Sequence, residues 1–327
     1  MNSPRLAILF ALIAGLTALA APAGATYSGD RPLASIYRGE INGDFLFSMG
    51  DSVYTGSMSP GSSLNVTFDV PLPQDAVLRV SRLYVYWTWS NQNGKGMYPN
   101  LTLSPPGSAG IGLGPAQRFM DNKGFASAYD YYVGTDAYNV TGLGPGARSF
   151  TVRLDQDGPE DSTVAVYGMG LLLVYESPSE PRRMLWVSEG CDLLYSSYGI
   201  SPAMATAAIE FPGDVPVRDV ARTELYLVAP SGGYSTNNVQ GRNSLLVNQI
   251  PDEQMPALLR SILSILFPNY RGKAWTDAFD FDQNSQVGVD RRDITPFLRS
   301  TGNRAEVRDS GDYFQLSNAV LSITMKS

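Results

Sequence analysis

The sequence predicts an all-β fold: two tandem β-sandwich or jelly-roll-like domains related by internal duplication, with one short helix in the second. Three observations predict it. Runs such as Leu83-Tyr-Val-Tyr-Trp-Thr-Trp89 are rich in aromatic and β-branched side chains, which fit a pleated, half-buried surface. Turns rich in Gly, Pro and Asn separate these runs at short intervals, a spacing that suits a sandwich or jelly roll. Several segments also recur in the same order in the two halves of the chain.

From the N-terminus, a short basic stretch ends at Arg5. An apolar run, Leu6 to Leu16, and the small residues Ala21-Pro22-Ala23-Gly24-Ala25 follow. The apolar stretch is about fifteen residues, shorter than the roughly twenty that span a bilayer. Residues 1–25 therefore read as a signal peptide cleaved before Thr26. No later segment is long or apolar enough to span, and the mature chain is expected to work outside the cytoplasm.

The first domain is expected over residues 26–180 and the second over 181–327, with Glu176-Ser-Pro-Ser-Glu-Pro181 as the joint. Val66-Thr-Phe-Asp-Val70 alternates with period two, as a strand with one dry face should. Val80 to Tyr86 is echoed by Val220 to Val228, and Phe119 to Tyr132 by Trp275 to Phe281. Asp136 to Thr141 is echoed by Asp290 to Thr295, and Arg148 to Arg153 by Arg304 to Arg308. Each copy closes on an apolar strand, Val164 to Tyr175 and then Phe314 to Thr324. The one helix begins in Asp252-Glu-Gln-Met-Pro256, with early acids and proline, and is stopped by Pro268. Its apolar residues, Leu258 to Phe267, suit a plug at the end of the second sandwich; the rival is a contact with another subunit.

Composition narrows the function. A net charge of −7 disfavours nucleic acid and anionic lipid. The absence of histidine removes Ser-His-Asp and Cys-His mechanisms and the usual imidazole zinc sites. With one cysteine, Cys191, no internal disulfide can form. Cys191 reads as a small buried hydrophobe or as an intersubunit disulfide.

The acids Asp277, Asp280, Asp282, Asn284, Asp290 and Asp293 offer weak calcium candidates, chiefly Asp280, Asp282 and Asn284. Ser285 stands where an EF-hand loop needs glycine and Arg291 where it needs glutamate, so a solvated acidic strand and loop is the simpler reading. Glu40, Asp44, Asp51, Glu189, Asp192 and Glu210 could in principle supply a glycosidase pair, but no sequence feature brings two together. No cofactor is expected. Asn65-Val-Thr67, Asn100-Leu-Thr102 and Asn139-Val-Thr141 are N-glycosylation sequons, all in the first copy. The Tyr- and Trp-rich strands could stack glycans as lectin surfaces do, though core packing accounts for most of them.

The opening Tyr37-Arg-Gly-Glu-Ile-Asn-Gly43, the Asp136–Thr141 segment with its copy at Asp290–Thr295, and the two closing apolar strands resemble the exported β-rich family that includes the cell-sheath proteins of methanogenic archaea. The resemblance covers nearly all of the mature chain. It implies an extracellular homopolymer joined through extended, amyloid-like β-sheets, and it brings no catalytic motif. A secreted sugar-binding adhesin is the alternative, and a polysaccharide-acting enzyme the third class. Edge strands carry unpaired N–H and C=O groups, and pairing them between subunits yields continuous sheets. The closing strands are the first place to expect such pairing.

Overall fold

The computed structural model describes residues 31–90, 99–104, 109–114, 117–123, 132–140, 143, 149–197, 199–233, 243–250, 256–267, 269–281 and 284–327. The expected signal segment and its expected cleavage point before Thr26 lie outside the described residues.

The first half contributes β1 (Ala34–Ser48), β2 (Ser57–Met58), β3 (Ser63–Asp69), β4 (Val77–Ser90), β5 (Pro99–Ser104), β6 (Ile111–Leu113), β7 (Gln117–Asp121), β8 (Tyr132–Asn139), β9 (Ser149–Gln156) and β10 (Val164–Glu176). The second contributes β11 (Arg182–Leu194), β12 (Thr206–Phe211), β13 (Val220–Pro230), β14 (Asn243–Val247), α1 (Ala257–Leu266), β15 (Lys273–Trp275), β16 (Asp280–Phe281), β17 (Val287–Asp293), β18 (Asn303–Asp309) and β19 (Phe314–Met325).

Strand order displays the duplication. The large sheet runs β16-β17-β13-β19-β11-β1-β10-β4-β8-β7, a sequence that mirrors itself about the β11–β1 pair. Two four-stranded sheets, β3-β9-β5-β6 and β12-β18-β14-β15, repeat one another strand for strand. Each half is thus an antiparallel jelly roll, with a small sheet packed on its share of the large one. The echoed segments fall on equivalent strands: β4 with β13, β8 with β17, β9 with β18, and β10 with β19.

β1 joins the halves. Its residues Ala34–Asn42 pair with β11, and Gly43–Ser48 pair with β10. The strand changes partner at Gly43, where a Cβ would lie 2.0 Å from the Tyr175 carbonyl oxygen, so only glycine fits this corner. Residues 34–42 precede the expected joint near residue 180 yet complete the sheet of the second half.

Three apolar layers follow. In β4, Leu83, Val85 and Trp87 pack toward the first small sheet, while Tyr84 and Tyr86 point the other way into a central layer. In β19, Leu321 and Ile323 pack toward the second small sheet, and Val320 faces the central layer. The two flanks of the large sheet therefore face one another. Burial on both faces explains why β10 reads as a nearly unbroken apolar run, and β19, though it carries Gln315, Ser317, Asn318 and Ser322, is buried along almost its whole length as well.

Two expectations are corrected. The closing strands are not edges: β10 lies between β1 and β4, and β19 between β11 and β13. Their continuous hydrophobicity reflects a central position, which leaves no ladder groups to offer another chain. Nor does the helix plug a sandwich. No residue of α1 is buried, and Leu258, Ile265 and Leu266 are 75%, 81% and 63% exposed.

Candidate functional site

Among the described residues, the longest outer strands are β3 and β12, equivalent positions in the two small sheets. They differ at the free side. The Thr67 amide donates to Asp51 Oδ1 at 2.5 Å, and the Asp51 amide donates back to the Thr67 carbonyl at 3.1 Å. Backbone groups alternate sides along a strand, so the outward-pointing residues of β3 are Ser63, Asn65, Thr67 and Asp69. Asp51 closes the middle of that row. In β12 the Asp309 amide donates to the Ala205 carbonyl at 2.9 Å, which aims Thr206, Ala208 and Glu210 outward. Among the described residues, nothing bonds the outward backbone groups of Ala208 or Glu210. The outer strands of the large sheet, β7 and β16, are shorter, at five and two residues.

The side chains along β12 alternate as a one-sided strand requires: Ala207, Ile209 and Phe211 are buried, and Glu210 is exposed. Glu210 forms an ion pair with Arg304 at 3.2 Å, an exposed contact of little energetic weight. The second surface is α1, whose Leu258, Ile262 and Ile265 recur at helical spacing on the outside of the molecule. Such a contiguous exposed apolar stripe marks an interaction surface.

The central layer between the halves is polar where it meets the strand ends. The Tyr84 hydroxyl donates to Glu189 Oε2 at 2.8 Å, and Arg82 reaches the other oxygen at 3.3 Å. The Tyr86 hydroxyl donates to Asn318 Oδ1 at 2.5 Å, and Gln315 Nε2 donates to the Gly134 carbonyl at 3.1 Å. Burial pushes the Glu189 carboxyl up, against the Tyr84 hydrogen bond and the Arg82 charge. Leaving such a buried group unpaired is expensive, so these bonds fix how the halves dock.

A second buried cluster lies where the end of β7 meets β11. Lys123 Nζ stands 2.6 Å from Asp121 Oδ2 and 2.8 Å from Asp192 Oδ1, and all three side chains are 2% exposed. The Leu193 amide also donates to Asp121 Oδ2, at 2.8 Å. Burial works to lower the Lys123 ammonium, but the Asp192 and Asp121 charges and hydrogen bonds outweigh it and hold the group above its ordinary range.

The other expected sites are dispersed. Asp280 is exposed on β16, Asp282 lies outside the described residues, and the Asn284 carbonyl accepts from the Tyr54 amide at 2.6 Å. Asp277 and Asp290 gather around Arg292, and Asp293 accepts from the Thr295 amide and hydroxyl. Among the described residues no three His, Cys, Asp or Glu converge to hold a metal. The glycosidase candidates meet cations or amides instead: Glu40 with Arg182, Asp44 with Arg183, Asp51 with Thr67, Glu189 with Arg82, Asp192 with Lys123, and Glu210 with Arg304.

Asn65 and Asn100 are exposed on the first small sheet, with Asn100 bonded to Asp157. Asn139 is exposed at the end of β8 and accepts from Arg82; Thr141 of its sequon lies outside the described residues. Cys191 is 2% exposed, its thiol pushed up first by burial and then by Asp121 and Asp192. A bridge to another subunit would have to open this packing. The aromatic run that could have stacked sugars is interior, with Tyr84, Tyr86 and Trp87 fully buried. Sequence reasoning missed the Lys123 cluster, because residues 123 and 192 meet only through the docking of the halves.

A family model described as "Protein of unknown function (DUF3344)" matches residues 26–324. No curated protein matches the chain. Among solved structures, the major capsid protein P2 from Bacteriophage PM2 aligns at 10% identity and a TM-score of 0.22, covering 86% of this chain and 98% of its own. A structure of Sulfolobus Turreted Icosahedral Virus aligns at 10% identity and 0.21, covering 86% and 90%. The Sputnik virophage aligns at 10% identity and 0.22, covering 87% and 86%. Scores this low carry no argument about fold or role; the jelly-roll assignment rests on this chain's own strand order.

Proposed function

The chain belongs to the DUF3344 family, and from that premise we propose that it is a structural subunit of an extracellular proteinaceous sheath or cell envelope, self-assembling through β-strand edges into amyloid-like sheets. The observation that carries this reading is the free side of β12, where Ala208 and Glu210 present backbone groups with no partner among the described residues. Pairing such a row with another chain satisfies it in full, which suits a rigid wall. The exposed stripe of α1 supplies a second, apolar contact on the same half. The resemblance of the Tyr37–Gly43 opening and the closing strands to methanogen sheath proteins supports the same reading. On this account the export signal delivers the chain to the surface, and no catalysis is required of it.

Ala208→Pro tests the reading. It removes an outward N–H at an edge, where no ladder bond is lost, so the fold should survive while association falls. Light scattering at high concentration should show large assemblies for the wild type and smaller species for the variant. Equal assembly by both would remove β12 from the account.

A further inference from the structure

We propose that Lys123 and Asp192 condense into an intramolecular amide that ties the first half covalently to the second, with Asp121 moving the protons. The geometry is that of a reacting pair. The amine nitrogen already touches a carboxyl oxygen of Asp192 at 2.8 Å, one bond from the carbon it would attack. Asp121 holds the same nitrogen at 2.6 Å, and the Leu193 amide fixes its carboxylate in place. Val133, Cys191 and Leu193, with Phe119, Tyr195 and Tyr313 packed against them, form the apolar wall of the site. Condensation of an amine with a carboxylic acid is disfavoured in water; a dry site that holds both groups in contact removes that obstacle.

The step balances. The Lys123 ammonium gives one proton to the Asp121 carboxylate. Asp121 passes that proton to the Asp192 carboxylate, and the free amine attacks Cγ of the resulting acid, so a C–N bond forms. The C–O bond to the Asp192 hydroxyl then breaks, and that hydroxyl leaves as water after taking a proton relayed by Asp121 from the nitrogen. The products are the amide, one water and Asp121 returned to its carboxylate. No oxidant or cofactor enters. Buried ions cost free energy even when paired, and the product replaces the Lys123–Asp192 ion pair by a neutral amide, which supplies a driving force. Lys123 follows the edge strand β7 and Asp192 sits in β11, so the bond would staple the outer strand of one flank to the other half.

Peptide mass mapping of the purified mature protein after trypsin digestion tests this directly. The expected result is one species in which residues 119–148 and 184–218 are joined, lighter than their sum by one water, with the new bond placed at Lys123 and Asp192 by fragmentation. Lys123→Arg and Asp192→Ala should each restore the full mass, and Asp121→Asn should leave Lys123 and Asp192 unreacted in a folded chain. Separate unmodified peptides from the wild type would overturn the proposal, as would a cross-link mapped to Asp121. Persistence of the bond in Asp121→Asn would overturn the proton-transfer role of that residue.

Discussion

The two jelly rolls share one strand plan but finish their outer strands differently. In the first, Asp51 bonds both backbone groups of Thr67 and closes β3. In the second, the equivalent β12 keeps its outward row at Ala208 and Glu210, and the connection between β14 and β15 carries the exposed helix α1. The first half also presents the sequons at Asn65 and Asn100 on its small sheet. A glycan on Asn65 would sit on β3 itself and shield that strand further. Duplication thus yields one half with a closed outer strand and one with an open outer strand from a single fold, and the difference lies in a few residues beside the sheets rather than in the sheets.

The largest effects should come where the halves are alike. Phe150→Ala and Phe314→Ala each empty a fully packed core and should cost about 3–5 kcal/mol. Because both cores share the central layer through Tyr84, Tyr86 and Val320, denaturant should unfold the chain in one transition in either variant. Two separate transitions would show that the halves are energetically independent.

A pH effect is expected from one carboxyl of the second half. Burial pushes the Asp312 carboxyl up to about 6, against hydrogen bonds from Asn243 and the Tyr313 and Gly233 amides. Its ordinary value is 3.8, so between these values the folded chain binds more protons than the unfolded chain. This contribution is therefore destabilising above about pH 6 and is relieved as the pH falls toward 4. The full difference is up to about 3 kcal/mol. Asp312→Asn should flatten the urea-midpoint profile across that window, and an unchanged profile would refute the assignment.

Asp51→Ala removes the acceptor of the Thr67 amide and should cost about 1 kcal/mol. More tellingly, it should give the first half an open edge, and light scattering should then report stronger association than in the wild type. Unchanged association would mean that Asp51 is not a guard. Ile265→Ser should shift stability by less than about 0.5 kcal/mol, since the side chain is 81% exposed. It should still weaken association if α1 is a contact surface.

How much of this was legible in the sequence follows from range. Strand identity was readable because aromatic and β-branched runs such as Leu83–Trp89 are local signals, and the echo of Val80–Tyr86 in Val220–Tyr226 correctly marked equivalent strands β4 and β13. Which strands form edges was not readable. The apolar runs at Val164–Tyr175 and Phe314–Thr324 suggested adhesive strands, yet a strand dry on both faces is central by the same token. The helix misled for a related reason: seven apolar residues look like core, and only the docked fold shows that five of them, Leu258, Ile262, Ile265, Leu266 and Phe267, stay exposed. The Asp51 guard and the Lys123 cluster join residues distant in sequence, at separations of 16 and 69, and no local pattern announces either.

Electron microscopy of the purified native protein at high concentration, paired with fibre diffraction of the same sample, tests the central claim most directly. Edge-to-edge assembly predicts extended sheets or filaments with a strand spacing near 4.7–4.8 Å, lost in Ala208→Pro. Dispersed single particles with no such spacing would contradict it.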